Sequence, residues 1–232
     1  MIRLHHTKYM KRTKSYKAVA EKLPEGKNSP EEAIAFVKEN ARAKFDESVE
    51  VHVHLNIDPK KGEQTVRGSV ALPHGTGKEV RVGVITQEKA DEAKKAGADV
   101  IGGEELIEKI KSGTIPDVDV LVATPDIMPK LAQAARVLGP RGLMPSPKTD
   151  TVTPNVANAV TSLKKGKASF KNDNSGNIHQ VIGKVSFETD QLVENYKAFM
   201  DAVAACKNES HKGQLIGGIS VCSTMGPAIK IK

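Results

Sequence analysis

VRVGVIT, residues 80–86, reads as a continuous apolar strand, the pattern of a strand covered on both faces. Helical patterns over 88–96, 104–111 and 127–138 alternate with strands over 99–101 and 118–123. Strands and helices alternating at that spacing predict βαβ units on a parallel sheet. The flanking sequence is built differently. VEVHVHLNI, residues 49–57, alternates Val49, Val51, Val53, Leu55 and Ile57 with Glu50, His52, His54 and Asn56, the period of a half-buried strand. A second strand, over 65–72, follows the turn Lys60-Lys61-Gly62 and ends at the linker Pro73-His74-Gly75-Thr76-Gly77. Upstream, Ser29-Pro30-Glu31-Glu32 opens a helix. Ser29 suits the N-cap, Pro30 the first helical position, and Glu32 completes a capping box. Downstream, Thr153-Pro154 caps a helix that stops at Gly166. Strands over 168–171 and 178–185 flank the turn-rich NDNSGN, residues 172–177. A helix over 190–206 and a strand over 215–222 complete the chain.

The two styles divide at Gly75 and Val152. The expected architecture is a discontinuous α+β outer domain, residues 1–74 and 153–232, interrupted by an inserted Rossmann-like three-layer α/β domain, residues 75–152. Two adjacent chain crossings would act as one hinge. A chain of 232 residues is long enough to give both parts a core. The net charge of +7 favours an anionic partner. It is unevenly spread: the inner segment carries 11 Lys+Arg against 12 Asp+Glu, the outer segments 24 against 16. All Phe and Tyr residues also lie in the outer segments, so phosphate attraction and base stacking would both fall there.

Enzyme chemistry finds no footing. A dinucleotide site needs G-x-G-x-x-G between the first parallel strand and its helix, and that turn is Thr86-Gln87-Glu88. Gly75-Thr76-Gly77-Lys78 precedes the strand, the wrong side for a phosphate loop. Gly102-Gly103 before a helix reads as a turn. No G-x-x-x-x-G-K-[ST], G-x-S-x-G or H-E-x-x-H occurs. His52 and His54 share a strand face but are too few for a metal, and residues 173–177 lack the glycine position and closing Glu of a calcium loop. Cys206 and Cys222 form no C-x-x-C pair, which fits a reducing compartment. No apolar run approaches membrane-span length, and no signal-peptide pattern opens the chain. Residues 1–20 carry Arg3, Lys8, Lys11, Arg12, Lys14 and Lys17 and no acid. A disordered RNA-contacting arm and an organelle transit peptide both fit that composition.

A binding surface remains. Lys44 and Phe45 stand between a helix and a strand. Lys171, Asp173, Ser175 and His179 flank a hairpin loop. Ser220, Thr224, Met225 and Gly226 lie at the end of the last strand. Lys neutralises phosphate, Phe stacks, Ser and Thr hydroxyls meet a ribose 2′-OH, Gly admits close backbone approach, and Met offers a soft apolar contact. Taken alone, each also fits a core or turn role, Phe45 that of a plain core aromatic. LGPRGLMPSPK, residues 138–148, crowds Gly and Pro into a shaped turn that ends the preceding helix, by itself a stiff connection to the next segment.

That same run, with Gly139, Pro140, Arg141, Gly142 and Pro145, is closely similar to the signature of the large-subunit ribosomal protein L-one family of the bacterial type. AKFDESVEV (43–51), VRGSVALPHGTGK (66–78), FKNDNSGNIH (170–179) and STMGP (223–227) extend the resemblance from about Lys44 to Lys230. The resemblance implies a structural constituent of the large ribosomal subunit with no catalytic residue, cofactor or metal. It implies binding of large-subunit rRNA at the base of the mobile stalk beside the tRNA exit site. Contacts would cluster on the segments matching 44–48, Ser48 included, 171–179 and 224–226. It further implies a part in release of deacylated exit-site tRNA and, as in many members, repression of translation of the protein's own operon mRNA. The expected partners are rRNA, exit-site tRNA, that mRNA and other ribosomal components, with no membrane and no small-molecule substrate. The expected location is a cytoplasmic ribosome, with an organellar ribosome as the alternative. Residues 1–27 match no firm family pattern, and Cys222 and Ser223 depart from it mildly. The rival reading from residues alone is an α/β enzyme acting on a nucleotide or phosphate ester.

Overall fold

In the computed structural model, residues 12–24, 26, 28–59, 64–87, 89–207 and 213–231 are described. In chain order the elements are α1 (Lys14–Ala20), α2 (Pro30–Glu39), β1 (Ser48–Leu55), β2 (Arg67–Ala71), β3 (Val82–Ile85), α3 (Ala90–Lys95), β4 (Val100–Gly102), α4 (Glu104–Lys111) and β5 (Val120–Ala123). They continue as α5 (Met128–Leu131), α6 (Ala135–Leu138), α7 (Val156–Lys164), β6 (Lys167–Lys171), β7 (Asn177–Lys184), α8 (Thr189–Ala205), β8 (Ile216–Ser223) and β9 (Ile229–Ile231). The protein is mixed α/β, with one parallel and two antiparallel sheets among the described residues.

The alternation in residues 49–57 is spent as expected. β1 runs between β7 and β8, both antiparallel to it, in the sheet order β7-β1-β8-β9. Val49, Val51, Val53 and Leu55 are buried in one core with residues of α2 and α8. His52 and His54 take the opposite, open face. α2 starts with the predicted capping box, Glu32 N–H donating to Ser29 Oγ at 3.2 Å and Ser29 N–H to Glu32 Oε2 at 3.1 Å. α8 buries Leu192, Tyr196, Phe199 and Val203 on helical spacing. Phe199 meets Phe170 of β6 edge-on, ring centres 5.6 Å apart, which ties the β2–β6 pair to the same core. β9 has no counterpart in the sequence reading, and strand and helix ends differ from it by one or two residues, as ends do.

β3 lies between β4 and β5, all parallel. Its residues alternate between two cores. Ile85, with Leu121 and Ala123, packs with Ile107 and Ile110 of α4 and with Leu131 and Leu138 of α5 and α6. Val82 and Val84, with Val122, pack with Ala93 of α3 and with Val156, Val160 and Leu163 of α7. Both sheet faces are covered, which is why the sequence is apolar without alternation.

Several sequence expectations need correction. The single helix expected over 127–138 is broken into a 3-10 turn at Pro125–Ile127, α5, a second 3-10 turn at Ala132–Ala134, and α6; Pro125 and Pro129 remove donors there. The helix expected to start at Thr153-Pro154 starts after Asn155, whose side chain accepts the Asn158 N–H. That helix, α7, was grouped by sequence with the outer segments, but it packs on the parallel sheet. Residues 14–20, read as disordered, form α1, capped by Thr13 and anchored by buried Val19. The rest of that arm, residues 1–11, and the expected turn at Lys60-Lys61-Gly62 lie outside the described residues.

The chain passes between the two sheet systems at adjacent points. A Cβ on Gly166 would sit 2.4 Å from the Gly75 Cα, and both glycines hold positive φ. Asn195, fully buried on α8, donates to Gly75 O at 2.9 Å and Ile182 O at 2.7 Å, and accepts the His74 N–H at 3.1 Å. A buried amide with its groups satisfied is worth keeping only where position matters; here it pins the first crossing to the α8 core.

Candidate nucleic-acid interface

Most of the sequence-predicted contact residues fall in two clusters, at opposite ends of β1, with His179 and Ser220 on the sheet face between them. Eight extended residues separate the ends by roughly 25 Å.

The first cluster joins the loop before β1 to the turn after β8, and Glu47 makes the join. Glu47 is only 2% exposed. Its Oε1 accepts the N–H groups of Arg42 at 2.9 Å and Ala43 at 2.8 Å, and its Oε2 accepts the Met225 N–H at 3.0 Å. Burial by itself would raise the carboxyl pKa; hydrogen bonds from the Ser223 side chain and these backbone groups outweigh it and hold Glu47 below the usual range. One strand position on, Ser48 N–H donates to Thr224 Oγ1 at 3.0 Å, and Thr224 N–H donates to Ser48 O at 3.1 Å. Lys184 Nζ donates to Ser48 Oγ at 2.9 Å. On this scaffold Phe45 and Met225 stand 57% and 65% exposed, with Lys44 beside them. Phe45 is therefore not a core aromatic. A Cβ on Gly226 would lie 2.5 Å from Ser223 Oγ, so a side chain there would displace that hydroxyl.

The second cluster is the loop between β6 and β7. Asp173 Oδ1 accepts the N–H of Ser175 at 2.8 Å and of Asn177 at 2.7 Å, an Asx-type turn. Those backbone bonds, Asn177 first, lower the Asp173 pKa. Asp173 thus shapes the loop, while Ser175 and Lys171 face solvent. Gly176 takes φ 78° to close the turn.

Between the clusters runs the open face of the sheet. Register places Ser220 and His179 on either side of His52. His52 Nδ1 and His179 Nδ1 are 2.8 Å apart, and His52 Nε2 is 3.2 Å from Cys222 Sγ. Burial and the neighbouring His179 hold the His52 pKa below the ordinary value. His54 pairs with Asn177 Oδ1 at 2.8 Å. Among the described residues no group of His, Cys, Asp and Glu is arranged to hold a metal, and no helix is long and apolar enough to cross a membrane.

The signature turn lies elsewhere, after α6. Leu143 N–H donates back to Leu138 O at 3.1 Å, and Gly142 takes φ 70°. Gly142, Leu143 and Met144 share a cleft with Arg67, Phe170 and Lys171, while Pro140 and Arg141 are exposed and Pro145 is buried. Sequence reasoning missed Glu47 and Arg42. An acid just before a strand carries no local sign that it is buried.

The fold and this surface define a mixed α/β binding protein that presents cations and two bare apolar side chains, Phe45 and Met225, beside one groove. The chain belongs to the Ribosomal protein L1p/L10e family, whose sequence profile matches residues 37–227. It is 52% identical over 224 residues to the large ribosomal subunit protein uL1 of Cutibacterium acnes, covering 96% of each chain. It is 48% identical over 221 residues to uL1 of Mycoplasma capricolum, covering 95% of this chain and 98% of the relative. It is 49% identical over 224 residues to uL1 of Thermobifida fusca, covering 96% and 95%. The chain is thus a ribosomal protein and not an enzyme.

Proposed function

We propose that the chain is a constituent of the large ribosomal subunit in the cytoplasm, binding large-subunit rRNA through its strand-rich outer part. The carrying observation is the Phe45–Met225 pair, exposed beside Lys44 and held rigid by buried Glu47. Exposed apolar side chains among cations suit unstacked bases next to phosphates. Lys44, Phe45, Ser48, Thr224, Met225 and Gly226 form one contact region. Lys171, Asp173, Ser175, His179 and Ser220 form the second, Asp173 by shaping its loop. We assign the parallel-sheet part the role of an inserted domain, its limits moved to residues 75–165 so that α7 stays with its core. A part in release of exit-site tRNA follows if that part moves against RNA while the outer part stays fixed, and repression of the protein's own mRNA follows if that message carries a mimic of the rRNA site. The test is crosslinking to RNA in cells, followed by sequencing of the bound fragments and sedimentation with large subunits. Crosslinks concentrated on large-subunit rRNA are expected. Recovery without rRNA enrichment overturns the reading.

A further inference from the structure

α1 lies alongside the Phe45–Met225 ridge. Arg42 Nη1 donates to Ser15 O at 2.8 Å, and Val19 is buried beneath the helix. Between α1 and the ridge runs a groove of about 890 Å³, within the usual size of cavities that enclose a small ligand. Arg12 and Tyr16 line its α1 side, with the Arg12 guanidinium carbon 4.5 Å from the Tyr16 ring centre. Phe45 and Met225 line the other side, with Arg42 and Lys44 at its margin. The carboxylate in its wall, Glu47, has both oxygens bonded to backbone N–H groups. The lining thus carries three cations, Arg12, Arg42 and Lys44, against one buried carboxylate, Glu47, with the aromatic rings of Tyr16 and Phe45.

We propose that this groove takes a single unpaired nucleotide of the bound RNA. Its base stacks on the Arg12–Tyr16 pair and against Phe45, and its phosphate is met by Arg42 or Lys44. A guanidinium on a ring offers a flat, positively charged platform, the surface on which splayed bases settle. α1 thereby becomes the second wall of the RNA site. The inference rests on the proposed function, because it needs the Phe45 ridge to face RNA.

The test measures affinity of the full chain for a large-subunit rRNA fragment at one salt concentration, in four variants. Phe45→Ala tests whether the ridge meets RNA at all, which both readings require. Tyr16→Ala and Arg12→Ala report on the groove, and Tyr16→Phe keeps the ring. Base–aromatic stacking is worth about 1–3 kcal/mol, so Tyr16→Ala should weaken binding by roughly 5- to 150-fold. Arg12→Ala should weaken it in the same direction, and Tyr16→Phe should bind like the parent. Helical content and thermal midpoint should hold in all four. If Phe45→Ala weakens binding while Tyr16→Ala and Arg12→Ala do not, the groove proposal is overturned and the function stands. If Phe45→Ala binds like the parent, the proposed function fails first. If Tyr16→Ala keeps its RNA affinity but no longer sediments with large subunits, α1 meets a protein and the proposal is overturned.

Discussion

Glu47 and Met225, 178 positions apart in the chain, are joined by one hydrogen bond: the buried Glu47 Oε2 accepts the Met225 N–H at 3.0 Å. The other oxygen holds the Arg42 and Ala43 N–H groups at 2.9 Å and 2.8 Å. One carboxylate thus sets the spacing of the two loops that carry the exposed Phe45 and Met225.

Glu47→Gln should cost about 1–3 kcal/mol, because an amide nitrogen replaces one acceptor and strands a buried donor. RNA affinity should fall as well, since both loops lose their common anchor. The Glu47 pKa lies below its ordinary 4.5 in the fold, so its contribution is fully present above that pH and is lost as pH falls through the folded value. Urea midpoints of parent and variant should therefore converge in acid. Parallel midpoints down to about pH 3, on a scale where carboxylates titrate near 4, would refute the anchor.

Met225→Ala separates binding from stability. The side chain is 65% exposed, so its removal should change folding stability by no more than about 0.5 kcal/mol. Binding should weaken by roughly 1–3 kcal/mol if it covers a base. Calorimetry of the RNA complex against thermal melting of the free protein reads both. A loss of stability with intact binding would return Met225 to a packing role.

Electrostatics should set most of the affinity. The outer segments hold 24 Lys+Arg against 16 Asp+Glu. If about five phosphates are neutralised, log K falls against log salt with a slope on the order of −4. A flat titration between low and moderate salt would exclude the cationic surface as the source of affinity.

The cysteines should be inert. Burial raises the pKa of both thiols, and the Glu50 charge adds to the effect at Cys222, so little thiolate exists near neutral pH. Alkylation of the folded protein should be slow, and Cys206→Ser with Cys222→Ser should leave RNA affinity intact. Binding that disappears on mild oxidation would contradict this.

The partition gives the sharpest comparison. Joining residues 1–74 to 153–232 would keep α7 while removing the sheet that buries Val156, Val160 and Leu163. That chain should aggregate. Joining 1–74 to 166–232 by a short Gly/Ser linker should fold and bind RNA, because Gly166 lies against Gly75. Residues 75–165 alone should fold and bind poorly. Strong binding by the inner piece and none by the outer piece would reverse the assignment.

The strands other than β9, the α2 capping box and the change from alternating to continuous apolar runs were legible because each is a local pattern. α7 shows where such patterns stop. Val156, Val160 and Leu163 announce one apolar face, yet they do not say which sheet it will cover. α1 was hidden for a related reason: seven residues, KSYKAVA, with Val19 alone buried, are too short to show a helical apolar period. It is held by Thr13 at its start, by buried Val19, and by a contact from Arg42 of the next segment. The residue types of the candidate site were readable, but their grouping into two clusters at the ends of β1 was not.

By itself the sequence determined the two styles of sheet, the start of α2, the absence of phosphate-loop and metal patterns, and the location of the basic excess. Each depends on periodicity, spacing or charge among near neighbours. Only the tertiary structure decided that Phe45 is bare, that Thr224 bonds to Ser48, that α7 belongs with β3, and that Glu47 is buried. Those outcomes depend on which distant backbone groups reach a side chain once the sheets have paired, and a buried carboxylate can be stable only where such partners arrive.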